Sequence, residues 1–207
     1  MFGLAIHGGA GTLPRAEMSS DREQLYRAAL TEALTAGYTV LESGGTSLDA
    51  VTRAVAALED DPLFNAGRGA VFTIDGRNEL DASIMDGTTL GAGAVSGVTH
   101  IKNPIELART VMEHSDYVLL AGSGAEEFAL TRGYRLVPRS YFHTAERFRQ
   151  LERSPERSRC ERWQHALCLR PRAPSLRSES RHFSMPTCIS LVVTVPFVFR
   201  RRISQPP

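Results

Sequence analysis

The sequence predicts an α+β chain in which sheet layers are covered by helices. Three observations carry this. Two stretches of helical periodicity open the chain. Alternating and small-residue runs bounded by turn signals follow, and helix and strand signals then alternate up to about residue 152. Beyond that point neither period survives.

The elements follow in order. Leu4-Ala5-Ile6 is a short apolar run ending in glycines, read as a buried first strand. Ser20-x-x-Glu23 is a capping-box pattern opening a helix with Leu25, Ala29, Leu30, Ala33, Leu34 and Leu41 at near-helical spacing, and Gly44-Gly45 stops it. A second helix starts near Thr46 or Ser47, with Leu48, Val51, Val55 and Leu58 on one face and Pro62 just past its end. Ala70–Ile74 is read as a strand turning at Asp75-Gly76 and returning through Leu80 and Ile84. The small residues of Gly91–Val98 suit a central strand that another layer approaches closely. Asn103 as cap and Pro104 at the first helical position start a third helix. Val118–Ala121 is a strand, Gly124–Arg132 a helix closed by Gly133, and Thr144–Leu151 one more helix.

Composition divides the chain. Residues 1–150 carry 13 Lys and Arg against 19 Asp and Glu, a net charge of −6, and residues 151–207 carry 11 against 4, a net of +7. All 17 glycines lie at or before Gly133, whereas the later segment holds 7 of the 11 prolines and all three cysteines. Two regimes predict a folded region, 1–152, and an unrelated Arg/Pro/Ser-rich tail, 153–207, with the composition of a shifted reading frame. The tail is expected to be disordered. Its apolar run Ile189–Phe199, broken by Pro196, is too short to cross a bilayer. The overall charge of +1 argues against a nucleic-acid or membrane protein. No secretory signal is visible, and Cys160, Cys168 and Cys188 show no metal or redox spacing, so a cytoplasmic setting is expected.

Each motif has a plain structural reading beside a chemical one. His7-Gly8-Gly9-Ala10-Gly11 lets backbone approach a ligand. It fails the dinucleotide fingerprint, because Thr12-Leu13-Pro14 follows where a helix should open. Leu58–Gly69 joins two acids, a proline, glycines and Asn65. Such a loop can turn carbonyls onto a hard cation, and the Asn can orient an amide, yet by spacing alone it is a structural loop. Glu79 and Asp81 share one face of a strand, a spacing open to acid–base chemistry, with a structural role favoured. Asp86-Gly87 reads as a turn. Gly122-Ser123-Gly124 has the wrong order for a serine-hydrolase elbow.

Taken together, Ile6–Gly11, Pro62–Gly67 with Gly69–Thr73, Glu79–Ala82 with Met85–Gly87, Gly91–Val98, Asn103-Pro104 and Gly122–Phe128 resemble the plant-type asparaginase and isoaspartyl peptidase family of N-terminal-nucleophile hydrolases, from residue 4 to about 152. The resemblance implies an αββα four-layer sandwich, of which this region is the first-subunit half. It implies a precursor that cuts itself before a threonine, a dimer of the resulting subunit pairs, and hydrolysis of β-aspartyl peptides and L-asparagine. The cut has a chemical reason: a threonine hydroxyl needs a base, and a free α-amine on the same residue supplies one. By the same resemblance, His7, Gly8, Gly9, Ala10 and Gly11 match the glycine loop abutting the nucleophile. Asn65 matches a loop residue near the active site. The backbone carbonyls of Leu58, Glu59, Asp61, Phe64, Ala66 and Arg68 match a structural sodium loop, with no catalytic cofactor.

The family's cleavage run, Gly-Thr-Val-Gly, does not occur. Thr187 and Thr194 lack flanking glycines. The expectation is therefore no catalytic threonine, no second subunit, and no activity from this chain alone. The competing expectation is a binding half-domain that pairs with a complete relative, or recruits an anionic partner through its basic tail.

Overall fold

The computed structural model describes residues 2–9 and 18–153. Apart from Arg153, the expected tail lies outside the described residues. Within them the chain is α+β: five helices and one three-stranded sheet of order β1-β2-β3.

Helix α1 runs Ser20–Glu42. Its cap is Ser19, one residue before the expected one, whose Oγ accepts from the Arg22 N–H at 3.2 Å. Its buried stripe is Ala29, Ala33, Gly37 and Leu41. The expected period is present, but Leu25 and Leu34 fall on the open side, 57% and 36% exposed. The contact with α2 (Ser47–Asp60) decides this. A Cβ on Gly37 would stand 2.7 Å from the Ala50 carbonyl oxygen, so only small side chains fit where the helices cross. Thr46, one of the two expected starting residues, caps α2 reciprocally with Asp49 in a capping box.

Strand β1 (Leu80–Met85) pairs antiparallel with β2 (Ala92–Val98), and β2 pairs parallel with β3 (Leu119–Ala121). The register shifts between Leu80 and Ala82. There Asp81 Oδ1 accepts from Ser96 Oγ at 2.7 Å and the Gly97 N–H at 2.8 Å, and Gly97 takes φ 63°. Asp81 is thus used in holding a bulge. Asp86 closes the turn after β1, accepting from the Thr88 N–H and Thr89 Oγ1 at 2.9 Å each.

Helices α3 (Pro104–His114) and α4 (Gly122–Thr131) cover one sheet face. β2 is central and tightly covered, as expected. A Cβ on Gly93 would collide with the Ala108 carbonyl oxygen of α3. The core gathers Val51, Val55, Leu80, Ile84, Val95, Val98, Ile105, Leu107, Val111 and Phe142. The opposite face is uncovered among the described residues. Along β1, Asp81, Ser83 and Met85 are exposed while Leu80 and Ile84 are buried, and Leu119 on β3 is also exposed.

Two expected strands do not form ladders. Leu4-Ala5-Ile6 is irregular: Leu4 packs on the main core and Ile6 on a second cluster with Phe64, but no strand pairs with them. Ala70–Ile74 makes the expected turn at Asp75-Gly76, with the Gly76 N–H on the Thr73 carbonyl, yet retains a single bridge, Phe72 to Asn78. Side-chain amides do the work of a partner strand. Asn65 Oδ1 accepts from the Val71 N–H, and Asn78 Nδ2 donates to the Ala70 and Val71 carbonyls. Helix α5 spans Ala145–Glu152, capped by Thr144.

Candidate functional site

The site is built from the end of α2 onward. Asp60 ends the helix, and Pro62 has no N–H to offer the last-turn carbonyls of Leu58 and Glu59, which sit at the negative end of the helix dipole. Asp61 starts a turn, its Oδ1 accepting from the Leu63 N–H at 2.8 Å. The chain then folds back on itself. Gly67 has φ 47°, and a Cβ there would run into the Glu59 carbonyl oxygen. A Cβ on Gly69 would run into that of Phe64. The carbonyls of Asp61 and Ala66 accept from the Phe64 and Gly69 N–H groups, and each keeps a second lone pair.

The expected carbonyl set therefore lies on one tightly wound loop. Leu58, Glu59 and Phe64 are buried, Asp61 and Ala66 half-buried, and Arg68 exposed. Neutral oxygens in such a turn, next to a helix C-terminus, suit a hard cation of low charge. Among the described residues no group of three or more His, Cys, Asp or Glu could hold a metal.

The Glu59 side chain points elsewhere. Its Oε1 accepts from the Ile105 N–H at 3.0 Å, and its Oε2 has no partner. Burial pushes this carboxyl well above the ordinary range, with the Ile105 N–H pulling the other way. Asn103 makes no side-chain cap on α3. Its Nδ2 bridges to the Ala56 carbonyl and to Asp60 Oδ1. Asn103 holds the cap position with Pro104 first in the helix, as expected, but Glu59 supplies the side-chain acceptor that Asn103 does not.

The glycine loop meets this loop. A Cβ on Gly8 would stand 3.0 Å from a Phe64 ring carbon and from Leu30 Cδ2, so the absence of a side chain lets the segment lie against the residue preceding Asn65. His7 Nδ1 accepts from the Gly9 N–H at 3.1 Å, and Gly9 has φ 100°. Ala10 and Gly11 lie outside the described residues, as do Thr187 and Thr194. Half-buried Asn65 is oriented by the Val71 N–H on its Oδ1 at 2.8 Å, which assigns the Nδ2 end as a donor.

The sequence gives no sign of the residues that grip this loop from outside. Arg147 of α5 donates from Nε to the Gly69 carbonyl at 2.6 Å and from Nη2 to the Leu63 carbonyl at 3.3 Å. Tyr26 of α1 donates to the same Leu63 carbonyl at 3.2 Å. His143 and Phe148 set their rings edge-on to Phe72. These contacts join residues 37 to 84 positions apart, beyond the reach of any local pattern.

No helix among the described residues is long and apolar enough to cross a membrane. Forty-five curated proteins match the chain significantly. An isoaspartyl peptidase from Salmonella typhimurium is 53% identical over 148 residues, 72% of this chain and 47% of its own length. The isoaspartyl peptidase of Escherichia coli is 53% identical over 148 residues, 46% of its length. A plant-type L-asparaginase from Pyrococcus abyssi is 49% identical over 134 residues, 65% of this chain and 42% of its own. The chain thus spans about half the length of the relatives it matches. The family model described as asparaginase matches residues 1–182, and with these identities it shows that the chain belongs to the asparaginase family.

Proposed function

We propose that this chain is the first-subunit portion of an isoaspartyl peptidase and L-asparaginase, acting on β-aspartyl peptides and L-asparagine once a second portion supplies the nucleophilic threonine. The relatives' names support the reaction. The observation that carries the reading is the packing of Gly8 on Phe64, which lays the glycine loop beside the Asn65 loop. Asn65, anchored through Oδ1, keeps its amide nitrogen as a donor for a carbonyl or carboxylate of substrate. The carbonyls of Leu58, Glu59, Asp61, Phe64, Ala66 and Arg68 would hold a sodium ion, which supplies charge that stiffens the loop and takes no part in bond breaking.

The uncovered sheet face supports a partner. Met85 and Leu119 expose apolar surface on β1 and β3 that a second sheet would bury. Two such pairs would form the family's dimer. The odd number of cysteines, without metal or redox spacing, supports a reducing, cytoplasmic setting.

The test mixes the purified chain with the second-subunit portion of the Escherichia coli relative, beginning at its threonine, and measures aspartate release from a β-aspartyl dipeptide and from L-asparagine. The expected result is no release by either part and release by the mixture. Stable pairing without release would support the non-catalytic half-domain instead. Release by this chain alone would refute the need for a second portion.

A further inference from the structure

Arg147 stands out from the other cations of the described region. It is half-buried, yet among the described residues its guanidinium has no carboxylate partner, and it donates to backbone carbonyls of the 58–69 loop. A cation in a partly desolvated place is costly unless its donors are well used. Here Nε and Nη2 hold the Gly69 and Leu63 carbonyls, and Nη1 holds Gln150 Oε1 on its own helix at 3.0 Å.

The two gripped carbonyls are sequence neighbours of two carbonyls of the expected sodium set. Leu63 precedes Phe64, and Gly69 follows Arg68. Fixing the Leu63 and Gly69 carbonyls restrains the peptide planes on either side of them, and so limits the freedom of the Phe64 and Arg68 carbonyls. The same loop is wound so closely that Gly67 and Gly69 admit no Cβ. Few alternative shapes are open to it once both ends are held. The grip comes from a helix that also seats Phe148 on Phe72, just beyond the loop.

We propose that Arg147 is the positioning residue of the sodium loop: its fork presets the carbonyl cage from outside, so that cation binding and the docking of α5 reinforce one another. The proposal rests on the sodium reading given above. Coupling of this kind is reciprocal. If docked α5 strengthens cation binding, the cation must strengthen the docking of α5 by the same factor.

The test follows thermal unfolding of the full chain while sodium chloride replaces choline chloride at constant ionic strength, for the wild type, Arg147→Lys and Arg147→Gln. Lysine keeps the charge and loses the fork, so it separates geometry from electrostatics. The expected result is a sodium-dependent rise in melting temperature whose half-saturating concentration is at least about threefold higher in Arg147→Lys. An unchanged half-saturation, with only a lower baseline, would make Arg147 merely structural and overturn the proposal. A wild type that responds equally to sodium and choline would remove the sodium reading, and the proposal with it. Hydrogen exchange in the wild type gives a readout that survives misfolding of the variants. Sodium should slow exchange of the amides of Phe148–Glu152, and unchanged exchange there in a chain that does bind sodium would overturn the coupling.

Discussion

Glu59 on the last turn of α2 accepts a hydrogen bond from the Ile105 N–H on the first turn of α3, 3.0 Å away, while wholly buried. One helix thereby caps the next, across 46 residues of sequence. The arrangement predicts an asymmetry. Glu59→Gln keeps an acceptor of the same shape and should cost less than about 1 kcal/mol. Glu59→Leu leaves the Ile105 N–H unpaired and should cost about 1–3 kcal/mol. Urea unfolding of the two variants measures the difference, and equal losses would show that the hydrogen bond contributes nothing.

Asp49 gives a pH dependence. Hydrogen bonds from Thr46, then the Arg109 guanidinium, bring its carboxyl down to about 2. A carboxyl depressed by folding stabilises the native state above its unfolded pKa and loses that contribution as pH falls toward the folded one. The wild type should therefore lose stability relative to Asp49→Asn between about pH 4 and pH 2. Denaturation midpoints across that range would show the two curves converging, and parallel curves would contradict the assignment.

Gly93 is where β2 receives α3. Gly93→Ala would place a methyl group into the Ala108 carbonyl and Met112 backbone, forcing the helix outward. Overpacking of this kind costs about 1–3 kcal/mol. Calorimetry should show a clear fall in melting temperature. A neutral effect would mean that α3 lies farther from the sheet.

Met85 tests the uncovered face. It is 58% exposed, so Met85→Glu should change the stability of the isolated chain by no more than about 0.5 kcal/mol. The same variant should abolish pairing with a second-subunit portion, because a charge would be buried without a partner. Co-purification checks this, and undiminished pairing would place the partner elsewhere.

Local chemistry was readable where it closes locally. Helix α2 starts where Thr46 and Ser47 mark it, and the Asp75-Gly76 turn forms where its residues demand it. Asn103 marks the start of α3 as read, but its side chain bridges to α2 and makes no capping bond. The α1 period was right and its buried face was shifted, since close approach at Gly37 selects small residues over Leu25 and Leu34. Strand propensity in Leu4–Ile6 and Ala70–Ile74 found no ladder, as pairing is a property of two segments and not of one. Of the site, the glycine loop, Asn65 and the carbonyl loop came through resemblance. Tyr26, Arg147 and the Glu59 carboxylate were invisible, because their partners lie far along the chain.

The 84-residue span from Arg147 to Leu63 also bears on the order of assembly. Helices α1 and α2 are neighbours in sequence, as are β1 and β2, so their contacts close short loops. The Arg147 contacts close a much longer one, whose entropy cost is met only after the intervening sheet and helices are in place. Ribosomal synthesis enforces the same sequence, because Arg147 emerges after every carbonyl it grips. The loop must therefore spend an early interval with Tyr26 as the one outer hydrogen-bond donor to its backbone carbonyls among the described residues, and α5 arrives as the late event that adds the Arg147 fastening.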